Sequence, residues 1–154
     1  MTRLAVFIST VAYVGYFPVA PGTAGSAAAL VIYALLAWTG STPAYVGATV
    51  AIFIVGVWAA SIAERYFGGI DPGPVVIDEV VGMLITLAFV PVSWKSAFIG
   101  FIAFRVFDVI KPYPAGRLER LSGGLGVMAD DAAAGLYGFV VMHVLNAWRP
   151  GWLQ

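Results

Sequence analysis

The chain has no cysteine, a single histidine and very little charge: only 10% of its 154 residues are Asp, Glu, Lys or Arg, against roughly 25% in an ordinary soluble domain. Without cysteine there can be no disulfide, no thiolate metal site and no cysteine nucleophile. The lone histidine, His143, sits in an apolar run far from the charged residues and reads as a packed or interfacial side chain, not a ligand. The two signs of charge balance, with 8 basic and 8 acidic residues, so no broad electrostatic hold on nucleic acid exists. So little polar surface could hardly cover a water-soluble globule, whereas a bilayer accepts it as solvent.

What is present is apolar: 61% of the residues are hydrophobic and the mean hydropathy is +0.93. The apolar residues fall into runs at 24–39, 45–63, 78–92, 96–110 and 132–148. These are long and do not alternate with polar residues, so they read as helices and not strands. The third and fourth are short against the roughly 20 residues of a full span. Arg3 followed by the apolar stretch 4–14 has the form of a signal peptide's first two parts. The residues after it carry candidate site chemistry, however, and it is read as a retained helix at the membrane interface. The predicted fold is all-α, a single domain over 1–154: a polytopic membrane bundle of about five apolar helices plus an N-terminal interfacial segment. Trp148 and Trp152 are placed as interfacial anchors.

Charge is concentrated in one stretch, 101–131, which holds Arg105, Asp108, Lys111, Arg117, Glu119, Arg120, Asp130 and Asp131. Arg105, Asp108 and Lys111 recur every third residue and so share one side of a helix, which Pro112 and Pro114 then stop. The Gly-rich segment 122–126 reads as a loop that delivers Asp130 and Asp131 to the start of the last apolar run. Asp78 and Glu79 open the third run in the same way. Acids at a helix start can simply cap free N–H groups. Asp108 changes that balance, because a charge inside an apolar helix costs at least about 2.5–3.5 kcal/mol unless compensated. Arg105 or Lys111 can compensate it locally, and a divalent cation shared by the carboxylates explains the whole set; oxygen-only ligands suit magnesium.

The loop APGT, residues 20–23, combines a glycine that permits close backbone approach with Thr23 and helix amides that can receive a phosphate. Thr23 or Ser26 is a candidate cap for the helix that follows. Arg117, Glu119 and Arg120 read as a solvated face able to meet lipid headgroups. If the chain threads five times, every one of these motifs reaches the same side. Arg3, Arg65, Lys111, Arg117 and Arg120 lie there too, with Lys95 and Arg149 opposite, and the positive-inside rule makes that side cytoplasmic.

Four blocks, FPVAPGTAGS (17–26), VIDEVVG (76–82), FRVFDVIKPYP (104–114) and GGLGVMADDAAAGLYG (123–138), resemble in order and spacing the phosphatidylglycerophosphatase A family. The resemblance implies a magnesium-dependent phosphatase of the bacterial inner membrane, multi-pass, with its site facing the cytoplasm, converting phosphatidylglycerophosphate to phosphatidylglycerol and phosphate. Carried over by position, it points to Asp78 and Glu79, to Arg105, Asp108 and Lys111, and to Asp130 and Asp131. A Gly-x-Gly common in the family before the proline loop is replaced here by Tyr13, Val14 and Gly15.

The expected metal pool is Asp78, Glu79, Asp108, Asp130 and Asp131, with Asp78, Asp108 and Lys111 as catalytic candidates and Gly22, Thr23, Arg105 and Lys111 around the phosphate. Five carboxylates fit two metals, or one metal with a separate base or nucleophile. Metal-activated water is the first expectation and an aspartyl phosphate on Asp78 or Asp108 the second. A metal-dependent lipid phosphotransferase and a cation transporter are the competing readings. Transporters generally hold ions near the midplane, whereas these acids gather at one edge. Oligomeric state is not encoded in any of these patterns.

Overall fold

The computed structural model describes all 154 residues and contains helices and turns but no strand. The helices are α1 (Thr2–Ser9), α2 (Pro21–Trp38), α3 (Thr42–Phe67), α4 (Ile77–Thr86), α5 (Trp94–Ile110), α6 (Ala115–Leu118) and α7 (Gly124–Trp148), with a 3-10 turn at Val14–Tyr16. Their ends follow local chemistry. Pro21 starts α2 at a position where a missing N–H costs nothing. Ser41 caps α3 by accepting from the Ala44 amide at 3.3 Å, and Gly68, at φ +78°, ends it. Ser93 caps α5, and Lys111 in the left-handed region followed by Pro112 stops it.

Helix α4 is the centre of the bundle. Nine of its ten residues are buried, and it packs against α2, α3, α5 and α7. At about 1.5 Å per residue it is only about 15 Å long, half of a bilayer core. Its closest neighbour is α7, and the crossing is backbone on backbone: a Cβ at Gly135 would lie 2.6 Å from the Gly82 carbonyl oxygen. Around it, Val80, Met83, Leu84, Leu87, Phe104, Ala134 and Met142 form the larger of two apolar cores. The last-turn carbonyl of Leu84 accepts the Tyr45 hydroxyl at 2.6 Å, and Thr86 donates to Gly135 O at 3.3 Å.

Several expectations are corrected. Of the apolar helices, α2, α3 and α7, at 18, 26 and 25 residues, are long and apolar enough to cross a membrane; these three are the candidate spans, against about five expected. The third run is not one helix to 92, because α4 ends at Thr86 and the chain then turns through Phe89 at φ +62° to Pro91. Helix α2 begins at Pro21, so Thr23 and Ser26 are inside it and cap nothing; Ser26 instead donates to Gly22 O at 2.8 Å. The segment 122–126 is not a loop throughout. Gly124 and Gly126 are helical and buried, and a Cβ on Gly124 would stand 2.2 Å from the Val57 carbonyl oxygen of α3, so this glycine permits close packing and not flexibility.

The N-terminal segment is more than an interfacial strip. Helix α1 lies along α3, and Ser9 O accepts the Val76 amide at 2.9 Å just before α4. Val11, Ala12 and Tyr13 occupy the left-handed region at φ +49°, +54° and +71°, so the first position of the family's Gly-x-Gly is one where glycine is relaxed and this chain's tyrosine is not. Gly15 is enforced by packing, since a Cβ there would collide with Pro74 O at 1.9 Å. His143 stacks on Phe139 with ring centroids 3.9 Å apart, a packing role on α7.

Candidate active site

The first turn of α4, the start of α2, the last turns of α5, the loop 68–76 and the second turn of α7 meet at one end of the bundle. They enclose a cavity of about 340 Å³ lined by Gly22, Asp71, Asp78, Glu79, Arg105, Asp108, Lys111 and Asp131 among others. Because α7 starts at Gly124, Asp130 and Asp131 are interior helical residues, buried against their neighbours and not caps. Asp78 and Glu79 lie in the first turn of α4, yet neither caps it and both are buried. Two other clefts beside α4, lined by residues such as Tyr33, Tyr45, Val50 and Phe139, hold no carboxylate or cation.

The carboxylates sort into groups. Asp78, Glu79 and Asp131 bring one oxygen each within 4.8 Å of one another. Asp78 Oδ1, Glu79 Oε2 and Asp131 Oδ2 are buried with no hydrogen-bond partner. A single buried unsatisfied group costs about 1–3 kcal/mol, and charged ones more, and three together make a set that a bound cation would satisfy. The donor set is hard oxygen only, held on two packed helices, and it fits magnesium.

Asp108 pairs with Arg105 at 2.5 Å, supplying the partner that its apolar helix demands. Arg105 Nη1 also lies 3.8 Å from Glu79 Oε1 and 3.5 Å from Ser26 Oγ, so the guanidinium bridges α5, α4 and α2. Gly22 is the close-approach glycine, but what approaches is protein: a Cβ there would lie 2.2 Å from Glu79 Oε1 and 3.1 Å from Arg105 Nη1. The Thr23 amide already donates to Ala20 O at 3.0 Å and its side chain is outside the cavity wall. At the cavity mouth Val109 is 73% exposed, an apolar rim next to the charges.

Lys111 is enclosed by acids from three segments. Its Nζ lies 2.6 Å from Asp130 Oδ2, 3.1 Å from Glu119 Oε1 and 3.9 Å from Asp71 Oδ2. Burial by itself would lower its pKa, but the hydrogen bond and charge of Asp130, with Glu119 and Asp71 behind it, hold the pKa above the usual lysine value. Burial raises the Asp71 pKa against the opposing pull of Lys111. Asp71 and Glu119 were not among the candidates read from the sequence. Asp71 stands among Gly68, Gly69, Pro72, Gly73 and Pro74, and Glu119 on a face with the form of a solvated one; the available signal is the rarity of any charge in this chain. Glu64, at the end of α3, accepts the Asp71 amide at 3.3 Å and fixes that loop.

The sequence model of the phosphatidylglycerophosphatase A family matches residues 7–146. The chain is 39% identical over 155 residues to a Bacteroides thetaiotaomicron protein provisionally named a phosphatidylinositol-3-phosphatase, covering 96% of each. It is 34% identical over 131 residues to phosphatidylglycerophosphatase A of Haemophilus influenzae, covering 84% of this chain and 80% of the relative. With phosphatidylglycerophosphatase A of Escherichia coli it shares 32% identity over 138 residues, 88% of this chain and 80% of that one. No solved structure matches.

Proposed function

The chain belongs to the phosphatidylglycerophosphatase A family, and from that membership we propose that it is a magnesium-dependent membrane phosphatase converting phosphatidylglycerophosphate to phosphatidylglycerol and inorganic phosphate. The observation that carries this reading is the trio of buried, unpartnered carboxylate oxygens beside an arginine in a cavity at one end of an apolar bundle. Asp78, Glu79 and Asp131 would hold the magnesium, which would supply concentrated positive charge for phosphoryl transfer.

The remaining work belongs to the chain's own residues. Arg105, steadied by Asp108, directs its unengaged N–H groups to the phosphoryl oxygens. Asp108, on the cavity wall and outside the buried trio, accepts the proton that the attacking water loses. The water oxygen bonds to phosphorus, the bond from phosphorus to the glycerol oxygen breaks, and a proton returns to that oxygen to give the alcohol. Val109 at the rim meets the apolar part of the lipid as the headgroup enters.

The orientation follows from charge. Arg65 and Arg120 line one cleft at the site end, with Thr2 beside Arg65, while Lys95 bonds the C-terminal residue Gln154 at the other end. This distribution supports a multi-pass protein of the bacterial inner membrane with the site in the cytoplasm. A transporter is disfavoured, because the acids cluster at one end of the bundle and not at its middle.

The Bacteroides relative's name motivates a second reading, phosphatidylinositol 3-phosphate as substrate, by the same monoester chemistry. Phosphate release by purified protein from both lipids, with magnesium and with EDTA, tests both. Magnesium-dependent release with the higher kcat/KM on phosphatidylglycerophosphate is expected. A higher kcat/KM on the inositol lipid replaces the headgroup assignment, and no release from either overturns the phosphatase reading. Nucleotide-dependent headgroup transfer without phosphate release would identify a phosphotransferase instead.

A further inference from the structure

Two sets of three carboxylates approach one another closely in this chain, Asp78–Glu79–Asp131 and Asp71–Glu119–Asp130. They meet on α7, where the adjacent Asp130 and Asp131 belong to different sets. One set has a cation beside a single member only, Arg105 at 3.8 Å from Glu79 Oε1, and each of its members carries a buried oxygen without a partner. The other has an ammonium within reach of all three members, at 2.6, 3.1 and 3.9 Å. Lysine's ammonium is a compact point charge with three donors, suited to three separate acceptors.

We infer that Lys111 is a built-in cation standing where a second metal would otherwise sit: it confines the chain to one metal, at Asp78, Glu79 and Asp131, and ties the loop 68–76 and the end of α6 to α7 beside that ion. Lys111, Asp71 and Glu119 are therefore positioning residues, and Asp130 belongs to them and not to the metal. This rests on the metal-dependent reading above. It also resolves the surplus of acids, since Arg105 takes Asp108, Lys111 takes Asp130, and three remain for one ion.

The test counts ions, with Mn²⁺ as the probe, free Mn²⁺ being read by electron paramagnetic resonance on full-length protein in detergent. Wild type is expected to bind one Mn²⁺ per chain. Asp78→Asn should weaken it by at least about tenfold, and Asp130→Asn should weaken it much less. Lys111→Met, which leaves Asp71, Glu119 and Asp130 without a cation, should gain a second, weaker Mn²⁺, while Lys111→Arg should stay at one. Two ions in wild type, Asp130→Asn as damaging to affinity as Asp78→Asn, or a folded Lys111→Met that still binds one ion would each overturn the inference alone. No Mn²⁺ in wild type would overturn the metal reading together with it. Should Lys111→Met not fold, as judged by circular dichroism, the wild-type count and the paired aspartate variants decide.

Discussion

The two ends of α4 are equally buried and opposite in how their polar groups are treated. At the C-terminal end, Tyr45 and Thr86 supply hydroxyls to the Leu84 and Gly135 carbonyls, and the surroundings are aromatic and aliphatic. At the N-terminal end, Asp78 and Glu79 are packed beside Asp131 with oxygens that no neighbour satisfies. At one end the helix carbonyl is satisfied by protein hydroxyls and a lone phenol, Tyr33, goes unpartnered; at the other, three carboxylate oxygens cluster without a partner. On the metal-dependent reading proposed above, the contrast separates a structural half of the helix from a half that a bound ion would complete, since a cluster of unmatched buried carboxylates calls for an explanation.

The sharpest way to break this contrast is at the unsatisfied end. Asp78→Asn is expected to lower magnesium-dependent turnover by at least about a hundredfold, or about 2.7 kcal/mol in the barrier, while the melting temperature in detergent holds or rises because a buried charge has gone. Asp108→Asn should cost a similar factor, but with some loss of stability, since Arg105 loses its 2.5 Å partner. Turnover and thermal unfolding on the same preparations check both, and near wild-type rates across a magnesium titration would remove either residue from the mechanism. Between the two ends, Gly135→Val drives side-chain atoms into the Gly82 backbone and should destabilise the fold by about 1–3 kcal/mol or more, measured as a fall in melting temperature with activity lost in parallel. At the satisfied end the effect should be smallest. Tyr45→Phe leaves Leu84 O unpaired and is expected to cost about 1 kcal/mol of stability with the turnover of folded protein unchanged; a large loss of turnover would show that the two ends are not separable.

Helices were legible in the sequence where apolar runs were long, as in α2 and α3, because burial and bilayer length both favour the same pattern. The end of α4 and the beginning of α7 were not. Gly124 and Gly126 have loop character by propensity, and only the approach of Val57 O and Leu121 O reveals them as packing residues inside a helix. The end of α4 was hidden because Leu87–Val90 is as apolar as the helix itself, and only the backbone turn at Phe89 separates them. For the site, the scarcity of charge made Asp78, Glu79, Arg105, Asp108, Lys111, Asp130 and Asp131 conspicuous. Their division was illegible, since whether Lys111 meets a phosphate or three carboxylates depends on Asp71 and Glu119, brought to it by a loop and a one-turn helix from either side in sequence. Thr23 was over-read, because a threonine after proline and glycine has the form of a cap even when the helix has already begun.

The crossing of α4 and α7 carries one more consequence. Gly82 lies one helical turn after Asp78, and Gly135 one turn after Asp131, four residues in each case. The contact point thus acts as a gauge block that sets the gap between two carboxylates on different helices. Magnesium takes ligands at about 2.0–2.1 Å in strict geometry, whereas calcium accepts about 2.3–2.6 Å with looser geometry. A methyl group at Gly135 would press on the Gly82 backbone and widen the gap, whereas one at Gly82 would first meet the Phe104 ring; on the metal-dependent reading proposed above, Gly135, which touches no metal, would thereby select ion size.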